Sequence, residues 1–221
     1  MHSRSPVALI GALLLVLAVS IAAIGGGADP RLLHPAAGEW PSDGRDYTAQ
    51  RYSPLTQIDA ANVSQLGLAW YDDLDTLRGV EATPIYADGV LYNSLPFNVI
   101  KAYDAATGRV LWTYDPKVPR EMARYACCEP DSRGLAMWHG LIVIATLDGR
   151  LIGLDRTSGK PVWTTQVLPK TMPYTITGAP RVFGDQVVIG NSGGDLGVRG
   201  FVAAFDAATG QKRWKFFLTP N

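Results

Sequence analysis

Histidine and cysteine are scarce in this chain. The three histidines (His2, His34, His139) fall in no H-E-x-x-H pattern, so that metalloprotease motif is absent. There is no G-x-S-x-G elbow and no G-x-x-x-x-G-K-[ST] loop, which removes the serine-hydrolase and phosphate-loop templates. No C-x-x-C-H occurs, so no c-type haem is attached covalently within these residues. Charge of one sign is also lacking. Twenty basic and twenty acidic residues cancel, and no nucleic-acid or strongly acidic partner is indicated. Charged residues make up only 18%, against 47% apolar, so the chain can build a core rather than remain disordered.

Long apolar runs are confined to one place. Val7 to Ile24 is interrupted only by Gly11 and Ser20, follows Arg4, and leads into GGGADP with small Gly26 and Ala28 before Asp29. This is the pattern of a secretory signal peptide, and the run also reaches the lower length limit of a membrane span. No cysteine follows it for a lipid anchor. Residues 1–28 are therefore read as a signal peptide or an N-terminal membrane anchor. Residues 29–221 are expected to be exported to the periplasm, with membrane contact only if the segment stays uncleaved.

The only two cysteines, Cys127 and Cys128, stand side by side in RYACCEPDSRG. They could be two thiols or a bonded pair. Neighbouring Cα atoms lie about 3.8 Å apart, whereas ordinary disulfides span roughly 4.4–6.8 Å, so a ring between neighbours carries strain. Strain of that kind persists at functional sites, and export permits the bond to last.

The remaining signal is repetition. AYDAATGRVLWTYD, GLDRTSGKPVWTTQ and AFDAATGQKRWKFF share an Asp, a Ser/Thr-Gly turn and a Trp, with Trp112, Trp163 and Trp214 spaced by 51 residues. LGLAWYDD, with Trp70, is an earlier partial copy. A period of this size marks a solenoid, propeller or array. ADGVLYNS, HGLIVIAT and GDQVVIGN read as short strands after a Gly turn. VIKAYDA, GRLIGLDR and GFVAAFDA alternate apolar and polar, and each is followed by a turn and a strand ending at the Trp. The pattern predicts an all-β fold of four-stranded propeller blades, with each Trp packed between neighbouring blades. Three to four blades fit between Trp40 and Asn221, whereas a propeller usually closes with about 4–8 blades, so the expectation is part of a longer protein. A partial propeller closed by oligomerisation is the alternative.

One turn departs from hairpin length. GNSGGDLGVRG (Gly190–Gly200) is dense in glycine and carries Asp195 and Arg199. Its N–H groups could form a nest for anionic oxygens, Asp195 could hold a hard cation, or the loop could be flexible with a solvated acid.

These residues together resemble the pyrroloquinoline quinone (PQQ)-dependent alcohol dehydrogenases of the methanol and ethanol dehydrogenase type. The resemblance runs from Trp40 to the C-terminus. It rests on WPSDGRDYTAQRYSPLTQIDAANVSQLGLAW, GVEATPIYADGVLY, the Cys pair with Arg133 five residues on, TITGAP and SGGDLGVRG. It implies an eight-bladed β-propeller with PQQ and a metal ion on its axis, of which 29–221 is the N-terminal part. It also implies a Cys127–Cys128 disulfide against one face of the quinone, with Glu81, Arg133, Thr177, Ser192, Gly193 and Gly194 around the cofactor. Asp195 matches the metal-binding acid, though the family usually has Glu there, and the shorter side chain implies a different or water-mediated hold on the ion; the further acid that bears on Ca2+ against a lanthanide is expected downstream. The catalytic Asp base, a metal-binding Asn and a stacking Trp are expected beyond residue 221. The implied reaction is alcohol oxidation, with a cytochrome c or a quinone-linked acceptor taking the electrons. Two rival readings are a non-enzymatic envelope scaffold with PQQ-like repeats and a membrane-anchored sugar or polyol dehydrogenase.

Overall fold

A computed structural model describes residues 27–126 and 128–220. The signal or anchor segment thus lies almost wholly outside the described residues, as do Cys127 and Asn221. Among the described residues no helix is long and apolar enough to cross a membrane.

Three antiparallel sheets follow one another, each of four strands in chain order. The first contains β1 (Ile85–Ala87), β2 (Val90–Ser94), β3 (Ile100–Asp104) and β4 (Val110–Tyr114). The second contains β5 (Ala136–Trp138), β6 (Leu141–Ala145), β7 (Arg150–Asp155) and β8 (Pro161–Gln166). The third contains β9 (Arg181–Phe183), β10 (Gln186–Gly190), β11 (Phe201–Asp206) and β12 (Lys212–Phe217). The all-β blade architecture is as the repeat predicts. Two details differ. The Trp lies inside its strand, paired to Ala102, Gly153 or Ala204, rather than at its end. The segment around Trp70 forms no strand, so three complete blades are present among the described residues.

Alternation explains how the middle blade is clamped. Every residue of β6 is buried. Ile142 and Ile144 join Ile152, Leu154, Ile85 and Ile100 in a core shared with the first sheet. Leu141, Val143 and Ala145 join Leu151, Val187 and Phe201 in a core shared with the third. A strand buried on both faces is apolar at each position, hence LIVIA. Each fully buried Ile or Leu contributes about 1.5–3 kcal/mol.

The repeated turns do the stitching. Asp104, Asp155 and Asp206 each accept from the N–H and hydroxyl of the Ser/Thr three residues on, at 2.7–2.9 Å. Trp70, Trp112 and Trp163 donate their indole N–H to Ala105, Arg156 and Ala207 carbonyls of the next turn, at 2.9, 3.0 and 3.2 Å. Their rings lie on Gly108, Gly159 and Gly210, whose φ values are +74°, +69° and +70°. A Cβ on any of these glycines would stand 2.4–2.6 Å from the ring. Glycine is therefore required both for the left-handed backbone and for the contact. Trp214 instead remains 44% exposed and donates to Gln186 in its own sheet.

The amino-terminal segment seals the first two blades. Trp40 pairs with Tyr86 of β1. Asp29, 1% exposed, caps the short helix α1 (Pro30–Leu33) and accepts from the backbone N–H of His139 and from Arg31. Burial pushes its carboxyl up, but these hydrogen bonds outweigh burial and hold it below the usual range.

Candidate functional site

The segments leading into the first strand of each blade meet at one end of the sheets. Glu81 precedes β1, Arg133 precedes β5 and Thr177 precedes β9, each by three or four residues. Thr83 bridges in parallel to Gly134, and the Arg133 N–H donates to the Thr177 carbonyl at 2.9 Å. Gly134 has φ +136°, a backbone conformation that favours glycine, and a Cβ there would come only into ordinary contact with the Thr83 carbonyl and Ala179. These backbone ties line up the three side chains.

The Arg133 guanidinium lies 3.3 Å from the Glu81 carboxylate, with both side chains nearly half exposed. The loop carrying Arg133 is pinned along its length. Ser94 donates to the buried Ser132 hydroxyl at 2.6 Å, the Phe97 N–H donates to the Pro130 carbonyl at 2.9 Å, and Arg78 pairs with Glu129. Cys128 is exposed on this loop. Cys127 lies outside the described residues, and with it the expected bond.

The glycine-rich turn packs beside Thr177. Ser192 pairs with Thr175, and the Thr177 and Ser192 hydroxyls are 3.3 Å apart. Gly193 (φ +109°) and Gly197 (φ +76°) bracket a single 3-10 turn, Gly194–Leu196. The N–H groups of Leu196, Gly197 and Val198 are spent on carbonyls within the turn. Those of Gly193 and Gly194 have no backbone acceptor among the described residues. A Cβ on Gly193 would stand 2.7 Å from the Pro173 carbonyl.

A cavity of about 150 Å³ opens here, with Thr175, Thr177, Ser192, Gly193 and Asp195 on one side and Arg124, Tyr125 and Ala126 on the other. Of the residues expected from sequence, Thr177, Ser192, Gly193 and Asp195 share this cavity, and Gly194 begins the adjoining turn. Glu81 and Arg133 form a separate charged pair, joined to the cavity through the Arg133–Thr177 hydrogen bond. Asp195 is exposed, and no cluster of three or more His, Cys, Asp or Glu that could hold a metal occurs among the described residues.

Two residues were not legible as part of this end of the molecule. Thr175 is fully buried and its hydroxyl has no partner among the described residues. Asp131 is 2% exposed and neither of its carboxylate oxygens receives a hydrogen bond there. In sequence PDS reads as an ordinary solvated turn, so nothing marks Asp131 as buried.

A cationic guanidinium, two hydroxyls and two unspent N–H groups at one end of three blades suit a flat, multiply anionic ligand. The residues present fit PQQ on those grounds, with Gly193 bare where a side chain would collide with the turn.

The fold is that of consecutive tryptophan-docked β-propeller blades, with a small polar cavity at one end. Residues 40–221 match the family described as PQQ, glucose/ethanol/alcohol dehydrogenase, β-propeller domain, and the chain belongs to that family. It is 51% identical over 212 residues to the quinohemoprotein alcohol dehydrogenase ADH IIB of Pseudomonas putida, covering 95% of this chain and 31% of the relative. Among solved structures, it is similar to the quinohemoprotein alcohol dehydrogenase ADHIIG of Pseudomonas putida HK5, at TM-score 0.85 and 48% identity, covering 88% of this chain and 29% of that one. A europium-containing methanol dehydrogenase superposes at TM-score 0.80 with 38% identity, covering 86% of this chain and 34% of that one. The chain thus spans about a third of the length of the relatives it matches.

Proposed function

We propose that this chain is the amino-terminal part of an exported PQQ-dependent alcohol dehydrogenase and supplies one side of its cofactor pocket. The observation that carries this reading is the alignment of Glu81, Arg133, Thr177 and the Ser192–Asp195 turn at one end of three consecutive blades. PQQ, when bound, supplies the quinone that accepts a hydride from the alcohol. Arg133 holds a cofactor carboxylate by charge-assisted hydrogen bonds, and Glu81 orients the guanidinium. Thr177, Ser192 and the N–H groups of Gly193 and Gly194 hydrogen-bond the cofactor's rim. Asp195 contributes one carboxylate to a hard cation, Ca2+ or a lanthanide. A bonded Cys127–Cys128 pair forms a compact wall on one face.

The base that takes the alcohol proton is an Asp outside these 221 residues, and electrons leave to a haem or quinone acceptor. A scaffold has no need of an aligned anion pocket, and the identity to a named quinohemoprotein alcohol dehydrogenase supports the enzyme reading. PQQ titrated into this chain with Ca2+ or La3+ is expected to bind saturably and to quench tryptophan fluorescence, without dye-linked alcohol oxidation. Failure of saturable binding with either metal would overturn the pocket. Turnover by the 221 residues alone would overturn the placement of the base.

A further inference from the structure

Thr175 is fully buried, and its hydroxyl has no partner among the described residues. Its place in the fold shows where that hydroxyl is aimed. The Thr175 backbone bridges antiparallel to Ser192, so the segment is extended there and successive side chains turn to opposite sides. Tyr174 and Ile176 turn into the core between the second and third sheets. Thr175 and Thr177 turn the other way and line the polar cavity. The Thr177 hydroxyl has the Ser192 hydroxyl at 3.3 Å. The Thr175 hydroxyl has no such neighbour, although a hydroxyl screened from bulk water is costly to leave unbonded.

We propose that Thr175 is a further ligand-holding residue of this cavity, its hydroxyl donating to an oxygen of a bound polyanion at the end away from Arg133. That the polyanion is PQQ rests on the function proposed above. Arg133 is tied to the Thr177 carbonyl, whereas Thr175 stands two residues away along the same segment, about 7 Å in extended backbone. The two residues therefore address different ends of a ligand. A rigid, flat molecule with oxygens on opposite edges spans that interval; a single carboxylate or phosphate does not. Thr175 also joins the Gly193 and Gly194 N–H groups as a donor with no bond to give up when a ligand arrives. Thr177 and Ser192 exchange one another for the ligand. A donor without a prior partner contributes more on binding, because no internal bond is broken.

The first measurement needs no ligand. T175V removes the hydroxyl and keeps the β-branched shape. Because the hydroxyl has no partner to lose, the unliganded 221-residue chain carrying T175V is expected to melt at the wild-type temperature or above. A lower melting temperature, or failure to fold, would show the hydroxyl bonded within the fold and overturn the proposal. The second measurement titrates PQQ with Ca2+ into wild type, T175V and T175S, followed by tryptophan fluorescence. T175V is expected to bind about three- to tenfold more weakly, the loss of one hydrogen bond, and T175S to stay close to wild type because it keeps the donor. Wild-type affinity in T175V, or equal weakening in T175S, would overturn the role of Thr175 and leave the cofactor reading standing. Absence of saturable PQQ binding by the wild type would overturn the cofactor reading itself and this role with it.

Discussion

The indole N–H of Trp112 donates to the Arg156 carbonyl at 3.0 Å while its ring lies flat on Gly159, one blade further on. One side chain thus makes a hydrogen bond and a packing contact across the same blade boundary, and Trp70 and Trp163 repeat it. The glycine is the vulnerable partner. G159A places a Cβ 2.6 Å from the ring at φ +69°. It is expected to lower unfolding free energy by about 2–4 kcal/mol, combining left-handed strain with overpacking. Gly184 has φ +63° but nothing near its missing Cβ, so G184A should cost only about 1–2 kcal/mol. Equal denaturation midpoints for the two variants would refute the docking argument.

Arg133 is expected to dominate recognition of an anionic cofactor. R133L should weaken PQQ binding by about ten- to a hundredfold, the range for loss of a charged hydrogen bond of 1.5–3 kcal/mol. R133K should recover only part of this, because an ammonium lacks the planar fork. Calorimetric titration of the three proteins would settle it; equal affinities would place the carboxylate elsewhere.

The vicinal cysteines make a covalent prediction. Alkylation of exported, non-reduced protein, followed by digestion, should yield a peptide carrying Cys127 and Cys128 unmodified and lighter by two hydrogens. Recovery of two alkylated thiols would count against the wall of the pocket.

Asp29 predicts an acid limb of stability. Its carboxyl is held below the usual range by Arg31 and His139. The sign follows directly: the contribution is present above the unfolded value of 3.8 and is lost as pH falls through the lower folded value. D29N should therefore flatten the loss of stability in acid. At neutral pH it should cost about 3 kcal/mol, as for one partner removed from a buried pair. A D29N melting curve with the wild-type pH dependence would sink this assignment.

Asp131 predicts the opposite slope. A buried carboxyl raised above its unfolded value contributes fully below that value, and the contribution is lost as pH rises through the folded midpoint. D131N escapes this penalty. Its melting temperature should exceed that of the wild type at neutral pH, with the difference closing in acid. A constant difference across pH would contradict it.

Much of this architecture is written in local chemistry. The 51-residue spacing of the tryptophans, the Asp-to-Ser/Thr turns and the glycines after them are short-range patterns, and each reappears as the blade-to-blade stitch. The runs LIVIA and RLIGLD carry their burial in their composition. The three-residue strands β1, β5 and β9 do not, because three residues are too few to show a period, and their pairing comes from neighbours. Glu81, Arg133 and Thr177 could be named only by resemblance, since isolated polar residues before a strand look like any solvated edge.

What the chain specifies by itself is therefore the repeat: which residues turn, which pair and which tryptophan docks on which glycine. Only the tertiary structure decides what the repeat brings together. It stacks three blades so that Glu81 and Arg133, 52 positions apart, come within 3.3 Å. It also buries Asp131 away from water, on a loop tied to the first blade by Ser94 and Phe97. The reason is physical. Turn geometry and alternation depend on neighbours along the chain, whereas the burial and charge environment of a carboxyl depend on groups that arrive from other blades.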